Sequence, residues 1–250
     1  MSGNLAQQAE TNAWIFVSHA GADLTMVRQA RNYLEEKGAA PFLFHLKALT
    51  DPTEFWPLIE REIVARNFFL YCESAAAEQS EWVRRERMAV SRAREQAPKR
   101  IGRIRVDTAE LDFGSLDRFL AATRVLPSYS RQDRERVEPF LEAFRTAGFQ
   151  VFDDQAIQAS VRWDDAARNE LGAAARDGWV LVFLSTASAE SEWVHGELLA
   201  ARNLRARIIP VRIEPIRPPL ALMDIQWFDA TEDPSGAPLR LVNDLLRRTP

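Results

Sequence analysis

The chain has 250 residues, 46% of them apolar, with a formal charge of −4. This is the balance of a globular protein, and its mild acidity argues against bulk nucleic-acid binding, so no nucleic-acid partner is expected. No apolar run reaches the ~18–20 residues of a membrane span, so no membrane association is expected. The single cysteine, Cys72, rules out a disulfide framework within one chain and fits a reducing cytoplasm. Residues 1–11 are polar, lack the apolar stretch of a signal peptide and read as a tail.

In chain order, Trp14-Ile15-Phe16-Val17 is a short continuous apolar run, as expected for a strand buried on both faces. Leu24, Val27, Ala30 and Leu34 follow at helical spacing, and Gly38 stops that helix. Phe42-Leu43-Phe44 reads as the second strand, Phe55–Ala65 as a helix and Phe68–Cys72 as the third strand. Ser80 is a good N-cap for a helix running to about Glu95. Ile101–Val106 alternates apolar residues with arginine, which suits a strand nearer a sheet edge. Leu116, Phe119 and Leu120 mark a short apolar helix inside a segment, 108–121, that reads as a packed linker.

The order then starts again. Val125-Leu126 is a strand, and Val137, Phe140, Leu141 and Phe144 form a helical stripe that ends at Gly148. Val151-Phe152 and the very apolar Trp179–Leu184 are strands, and Ser191 caps a further helix. Ile208-Ile209-Pro210-Val211 is a strand leading into a proline-rich loop, and Leu239–Arg247 is an amphipathic helix. Strand and helix alternate with short connections in both halves. The expected fold is therefore α/β, with two tandem flavodoxin-like three-layer domains, each a parallel sheet of about four or five strands flanked by helices. The boundaries expected are 12–107 and 122–250.

The repetition extends to single residues. Ser-Glu-Trp-Val-x-x-Glu occurs at Ser80–Glu86 and at Ser191–Glu197, each time after an apolar strand. Ser18-His19-Ala20-Gly21-Ala22-Asp23 aligns with Ser128-Tyr129-Ser130-Arg131-Gln132-Asp133, and Gly38 with Gly148. A period this long indicates tandem domains rather than a solenoid. Helical spacing puts Trp82 over Glu86, and Trp193 over Glu197. Ligands of parallel α/β sheets bind beyond the carboxyl ends of the strands, which is where the topology carries Glu86, Glu197, Asp23 and Asp133.

These residues resemble a TIR domain, twice. Phe16-Val17-Ser18-His19 with Asp23, then Trp82-Val83-x-x-Glu86, carry the likeness in the first copy. Ser128–Asp133, Val151-Phe152-Asp153, Ser185, Trp193-Val194-x-x-Glu197 and Ile208–Val211 carry it in the second. The resemblance implies an enzyme of the prokaryotic NAD-cleaving type, which breaks the nicotinamide–ribose bond to give ADP-ribose or a cyclic ADP-ribose, is activated by assembly with other TIR domains and acts in anti-phage defence. NAD+ would be substrate, with no cofactor and no metal. The catalytic glutamates it implies are Glu197 and Glu86. Ser128, Asp153, Trp163 and Trp193 would line the second pocket, and Ser18, Trp56 and Trp82 the first. The second copy keeps an aspartate after its second strand, where the first has Phe42-Leu43-Phe44-His45, so Glu197 is expected to carry more of the activity than Glu86. Segments Leu46–Glu54 and Gln155–Arg162 are the expected contacts for assembly.

Blander readings stand beside these. Glu86 lies among Arg84, Arg85 and Arg87 and also fits a solvated charged face. The tryptophans also fit core or interface anchors, and Asp23 and Asp133 fit helix caps. His19, His45 and His195 lack metal-ligand spacing. A non-catalytic scaffold or adaptor acting through contacts between TIR domains is the alternative function, and a nucleotide-processing enzyme on a similar fold is a third.

Overall fold

A computed structural model describes residues 13–43, 52–153, 178–217 and 219–248. They form two compact units, Asn12–Leu120 with Asn243–Pro250, and Ala121–Val242.

The first unit runs β1 (Ala13–Ser18), α1 (Leu24–Glu36), β2 (Ala39–Phe42), α2 (Pro52–Ala65), β3 (Phe68–Glu73), α3 (Ala75–Gln79), α4 (Glu81–Gln96), β4 (Arg100–Arg105) and α5 (Phe113–Ala121). Its sheet is wholly parallel in the order β2-β1-β3-β4. This is the doubly wound arrangement, whose order reverses beside the first strand. The two inner strands carry the most apolar sequences, and Ile15, Phe16, Phe68, Phe69 and Leu70 are all buried. Burying each such side chain contributes about 1.5–3 kcal/mol.

Helices cover both faces. Ile59 and Ile63 of α2 and Ala89, Val90 and Ala93 of α4 pack on Phe16, Phe69 and Tyr71. On the other face α1 meets α5, where the Tyr33 hydroxyl donates to Asp117 at 2.7 Å and the Tyr33 and Phe113 rings stand 4.6 Å apart. Cys72 is buried on β3, and burial pushes its thiol up to about 12, which makes it an inert core residue.

The second unit runs β5 (Arg124–Ser128), α6 (Arg134–Thr146), β6 (Gln150–Val151), β7 (Trp179–Leu184), α7 (Thr186–Ala189), α8 (Glu192–Asn203), β8 (Arg207–Arg212) and β9 (Phe228–Asp229), and ends within α9 (Ala237–Arg247), whose residues from Asn243 onward belong to the first unit. Its five strands are parallel in the order β6-β5-β7-β8-β9. The stripe Val137, Phe140, Leu141, Phe144 is buried, with Phe140 against Phe183 at 5.3 Å. Val194, Leu198 and Ala201 of α8 pack on Leu126, Val180 and Val182 on the opposite face. The three-layer expectation therefore holds in both units.

The first helix ends alike in both copies. Gly38 and Gly148 each adopt φ 80°, the left-handed conformation that glycine takes without a Cβ penalty. After Gly148, the Phe149 amide reaches back to the Phe144 carbonyl at 3.0 Å.

The details differ from the sequence reading at three strands. β2 lies at Ala39–Phe42 and not at Phe42–Phe44. Its weak apolar pattern hid it, and Pro41 is tolerated because β2 is an edge strand. Pro127, in contrast, lies inside the central strand β5. The amides of Gln150 and Phe152 donate to Thr123 and Val125, so by alternation residue 127 also faces β6. Pro127 has no N–H to offer there, and β6 stops at Val151. Strand β9 was not anticipated, because two residues carry no periodicity.

Gly102 shows why α5 sits where it does. A Cβ on Gly102 would stand 2.3 Å from Cδ2 of Phe119, so the ring lies directly on the β4 backbone. Gly102→Val is expected to destabilise the first unit by about 1–3 kcal/mol through overpacking. Urea denaturation measures the loss, and adding Phe119→Leu should recover part of it. An unchanged midpoint would show that the ring moves aside freely.

Candidate functional site

Both copies bring a serine at the end of the first strand onto a glutamate of the helix that follows the third strand. Ser18 closes β1, and its hydroxyl donates to Glu86 Oε2 at 2.5 Å. Ser128 closes β5 and donates to Glu197 Oε2 at the same 2.5 Å. The partners are 68 and 69 residues apart in sequence, so parallel sheet topology alone brings them together. Both glutamates are buried, Glu86 at 3% exposure and Glu197 at 9%.

Helix α4 starts where Ser80 accepts the Val83 amide at 3.3 Å, and α8 starts where Ser191 accepts the Val194 amide at 3.4 Å. Each glutamate is thereby set one turn inside its helix. In the first copy the Trp82 indole N–H donates to Glu86 Oε1 at 2.9 Å, as the spacing implied. Trp56 stands edge-on to Trp82 with centroids 5.6 Å apart, and the Arg85 guanidinium lies 4.4 Å over the Trp56 ring. Burial raises the Glu86 carboxyl from 4.5 to about 7, while the hydrogen bonds from Ser18 and Trp82 pull it back down. Glu86 is not part of a solvated face, despite the arginines beside it.

The remaining expected site residues are placed unequally. Asp153 accepts the Tyr129 hydroxyl at 3.0 Å, and its other oxygen lies 3.8 Å from Arg134. Its described contacts are thus with Tyr129, directly after β5, and with Arg134 at the start of α6, and not with Glu197. The strand registers put Leu43 at the matching place in the first copy, which has no carboxylate there. Trp163, the Trp193 side chain and segments 46–51 and 155–162 lie outside the described residues.

A second contact braces each site. Ser74 donates to Asp23 at 2.5 Å and accepts the Ala77 amide; Ser185 donates to Asp133 at 2.5 Å and accepts the Ser188 amide. The aspartates occupy N-cap positions, but their side chains make no cap hydrogen bond. They tie the end of the third strand to the start of the first helix instead. An acid after the fourth strand completes each brace: Asp107 accepts the Ala75 amide at 3.0 Å and Glu214 the Thr186 amide at 2.8 Å. Arg136 adds ion pairs to both Asp133 and Glu214 in the second copy. The repeated Asp was legible as a match between the copies, but its contact with a serine was not.

Chemically, the arrangement presents a fixed carboxyl in a low-dielectric setting at the carboxyl edge of a parallel sheet. Among the described residues no cluster of His, Cys, Asp or Glu is arranged to hold a metal ion, and no helix is long and apolar enough to cross a membrane.

A family model described as "TIR domain" matches the chain twice, over residues 15–123 and 125–242. The crystal structure of the TIR domain of the Toll-related receptor TRR-2 from Hydra magnipapillata is similar, with 21% identity and a TM-score of 0.41, covering 50% of this chain and 98% of that one. No curated protein matches the chain.

Proposed function

We propose that this chain, which belongs to the TIR-domain family through both of its halves, is an NAD+ nucleosidase that cleaves the nicotinamide–ribose bond, with Glu197 as the principal catalytic carboxylate. The observation that carries this reading is the buried serine–glutamate pair, built twice at the carboxyl edge of a parallel sheet.

Breaking the N-glycosidic bond sends its electron pair to the ring nitrogen and leaves positive charge on the ribose as an oxocarbenium-like centre. A fixed carboxylate stabilises that charge, as in glycosidases. Nicotinamide leaves as a neutral ring and needs no general acid. Water adding at C1′ releases a proton and gives ADP-ribose. A ring nitrogen of the adenine in place of water gives a cyclic product.

The second copy is favoured because it has Asp153 where the first has Leu43. In the first copy burial leaves the Glu86 carboxyl partly neutral near pH 7. The first copy then serves assembly more than turnover. Anti-phage defence, by depletion of NAD+ or release of a cyclic signal, is the setting we assign.

Nicotinamide release by the purified full chain tests the reading. Activity is expected to rise more than linearly with protein concentration, and an isolated 122–250 fragment to be much less active at equal concentration. Linear dependence, with the fragment as active as the whole, would show that each site is complete alone. No nicotinamide release at any concentration, with self-association retained, would establish the scaffold function instead.

A further inference from the structure

The duplication supplies an internal reference for a second site. In the second unit the flank between α8 and β8 is apolar and covered. Val182 and Leu198 lie there, and Ile216, Ala221, Leu222 and Ile225, from the segment after β8, close over the same cluster. In the first unit β4 passes through residues 106–112 directly into α5, so the described residues include no counterpart of that cover.

The corresponding flank of the first unit has a different chemistry among the described residues. The strand registers put Tyr71 beside Arg103 where the second unit has Val182 beside Pro210. Arg87 follows Glu86 where Leu198 follows Glu197. Burial pushes the Tyr71 phenol up to about 12, and the charge of Glu86 adds to the rise, while the charges of Arg87, Arg103 and Arg94 pull it back. The Arg87 guanidinium lies 5.7 Å from the centroid of the Tyr71 ring.

Next to them a cleft of about 570 Å3 is lined by Arg94, Lys99, Arg100, Arg103 and Arg247, with Glu95 as the one acidic lining residue. Two of these cations serve backbone carbonyl groups. Lys99 donates to the Val64 and Arg66 carbonyls, and Arg100 to that of Arg248. Arg103 pairs with Glu73 at 3.2 Å across an exposed surface, a weak contact in water. Arg87, Arg94 and Arg247 form no ion pair among the described residues. The chain carries −4 overall, so this concentration of cations runs against its average charge.

We propose that this cleft is a binding site for a small polyphosphate anion of nucleoside di- or triphosphate class, separate from the serine–glutamate sites. Guanidinium groups hold phosphate through paired, charge-assisted hydrogen bonds. The volume is that of a small-molecule site. It suits a compact ligand better than an extended acidic peptide.

Isothermal titration of the full chain with sodium tripolyphosphate tests the proposal. Saturable single-site binding is expected, weakened by salt and by about tenfold or more in Arg94→Gln/Arg103→Gln, which removes two charge-assisted contacts. Both side chains are exposed, and an unchanged thermal melt of the variant confirms that its fold is intact. Arg247→Gln, at another residue lining the cleft, provides an independent loss. Absence of saturable binding at millimolar ligand overturns the site. So does equal binding by folded variants. Tighter binding of an oligoglutamate peptide than of tripolyphosphate overturns the phosphate assignment in favour of an acidic protein segment.

Discussion

Glu197→Gln is expected to lower NAD+ cleavage by about a thousandfold. The amide can still accept the Ser128 hydrogen bond, so the local packing stays. What it loses is the negative charge that faces the developing oxocarbenium centre. At about 4 Å and an effective dielectric near 20 that interaction is roughly 4 kcal/mol. Each 1.36 kcal/mol is tenfold in rate, which gives about three orders of magnitude. The matching Glu86→Gln change is expected to leave most of the activity. Nicotinamide release by each single variant and by the double variant measures both effects. Full activity in the double variant would end the glutamate mechanism, and a loss confined to Glu86→Gln would reverse the order of the two copies.

The second large effect is on stability and concerns Glu86. Its carboxyl lies at about 7 in the folded chain against an ordinary 4.5, because burial disfavours the charged form. A raised acid binds its proton more tightly in the folded state than in the unfolded one. The associated stability is therefore fully present below about pH 4.5, declines as pH rises, and is lost above about 7. The total is on the order of 3 kcal/mol for a shift of this size. Glu86→Gln has no proton to lose and should remove this slope. Urea midpoints at pH 5 and pH 8 for the two proteins isolate the contribution, since all other groups are common to both. The same difference between wild type and variant at both pH values would mean that Glu86 stays charged in the folded chain.

The pattern of strands and helices was legible because burial is written in it. Trp179–Leu184 could only be an inner strand, and the stripe through Val137 and Phe144 could only be a helix face. The serine–glutamate pair was legible indirectly, through the repeat and the rule that parallel sheets use their carboxyl edge. Its oxygen-to-oxygen contact was not, since it joins residues nearly seventy positions apart. The orientation of Asp153 could not be read either. Tyr129 competes for it, and nothing in a one-dimensional pattern ranks that hydroxyl above a pocket. The sequence left the bracing aspartates open between caps and site residues, because their position suits a cap, while the actual donors, Ser74 and Ser185, come from another strand end. The cationic cleft had no local signature at all. It is visible only as a difference between two copies of one fold.

The wholly parallel pairing of both sheets also bears on how the chain reaches its native state. Parallel neighbours cannot be joined by a tight hairpin, so in both sheets each pair of strands must close a long loop before it gains a single rung. Such topologies fold slowly and expose unpaired edges while they do so. Here two versions of the same strand order lie in one chain, and a strand of one copy is a plausible substitute for its counterpart in the other during synthesis. Divergence between the copies reduces that hazard. Pro127 in β5 denies a rung that Val17 in β1 offers, so the two central strands are poor replacements for each other. The imperfection of the repeat thus helps each half to find its own partners.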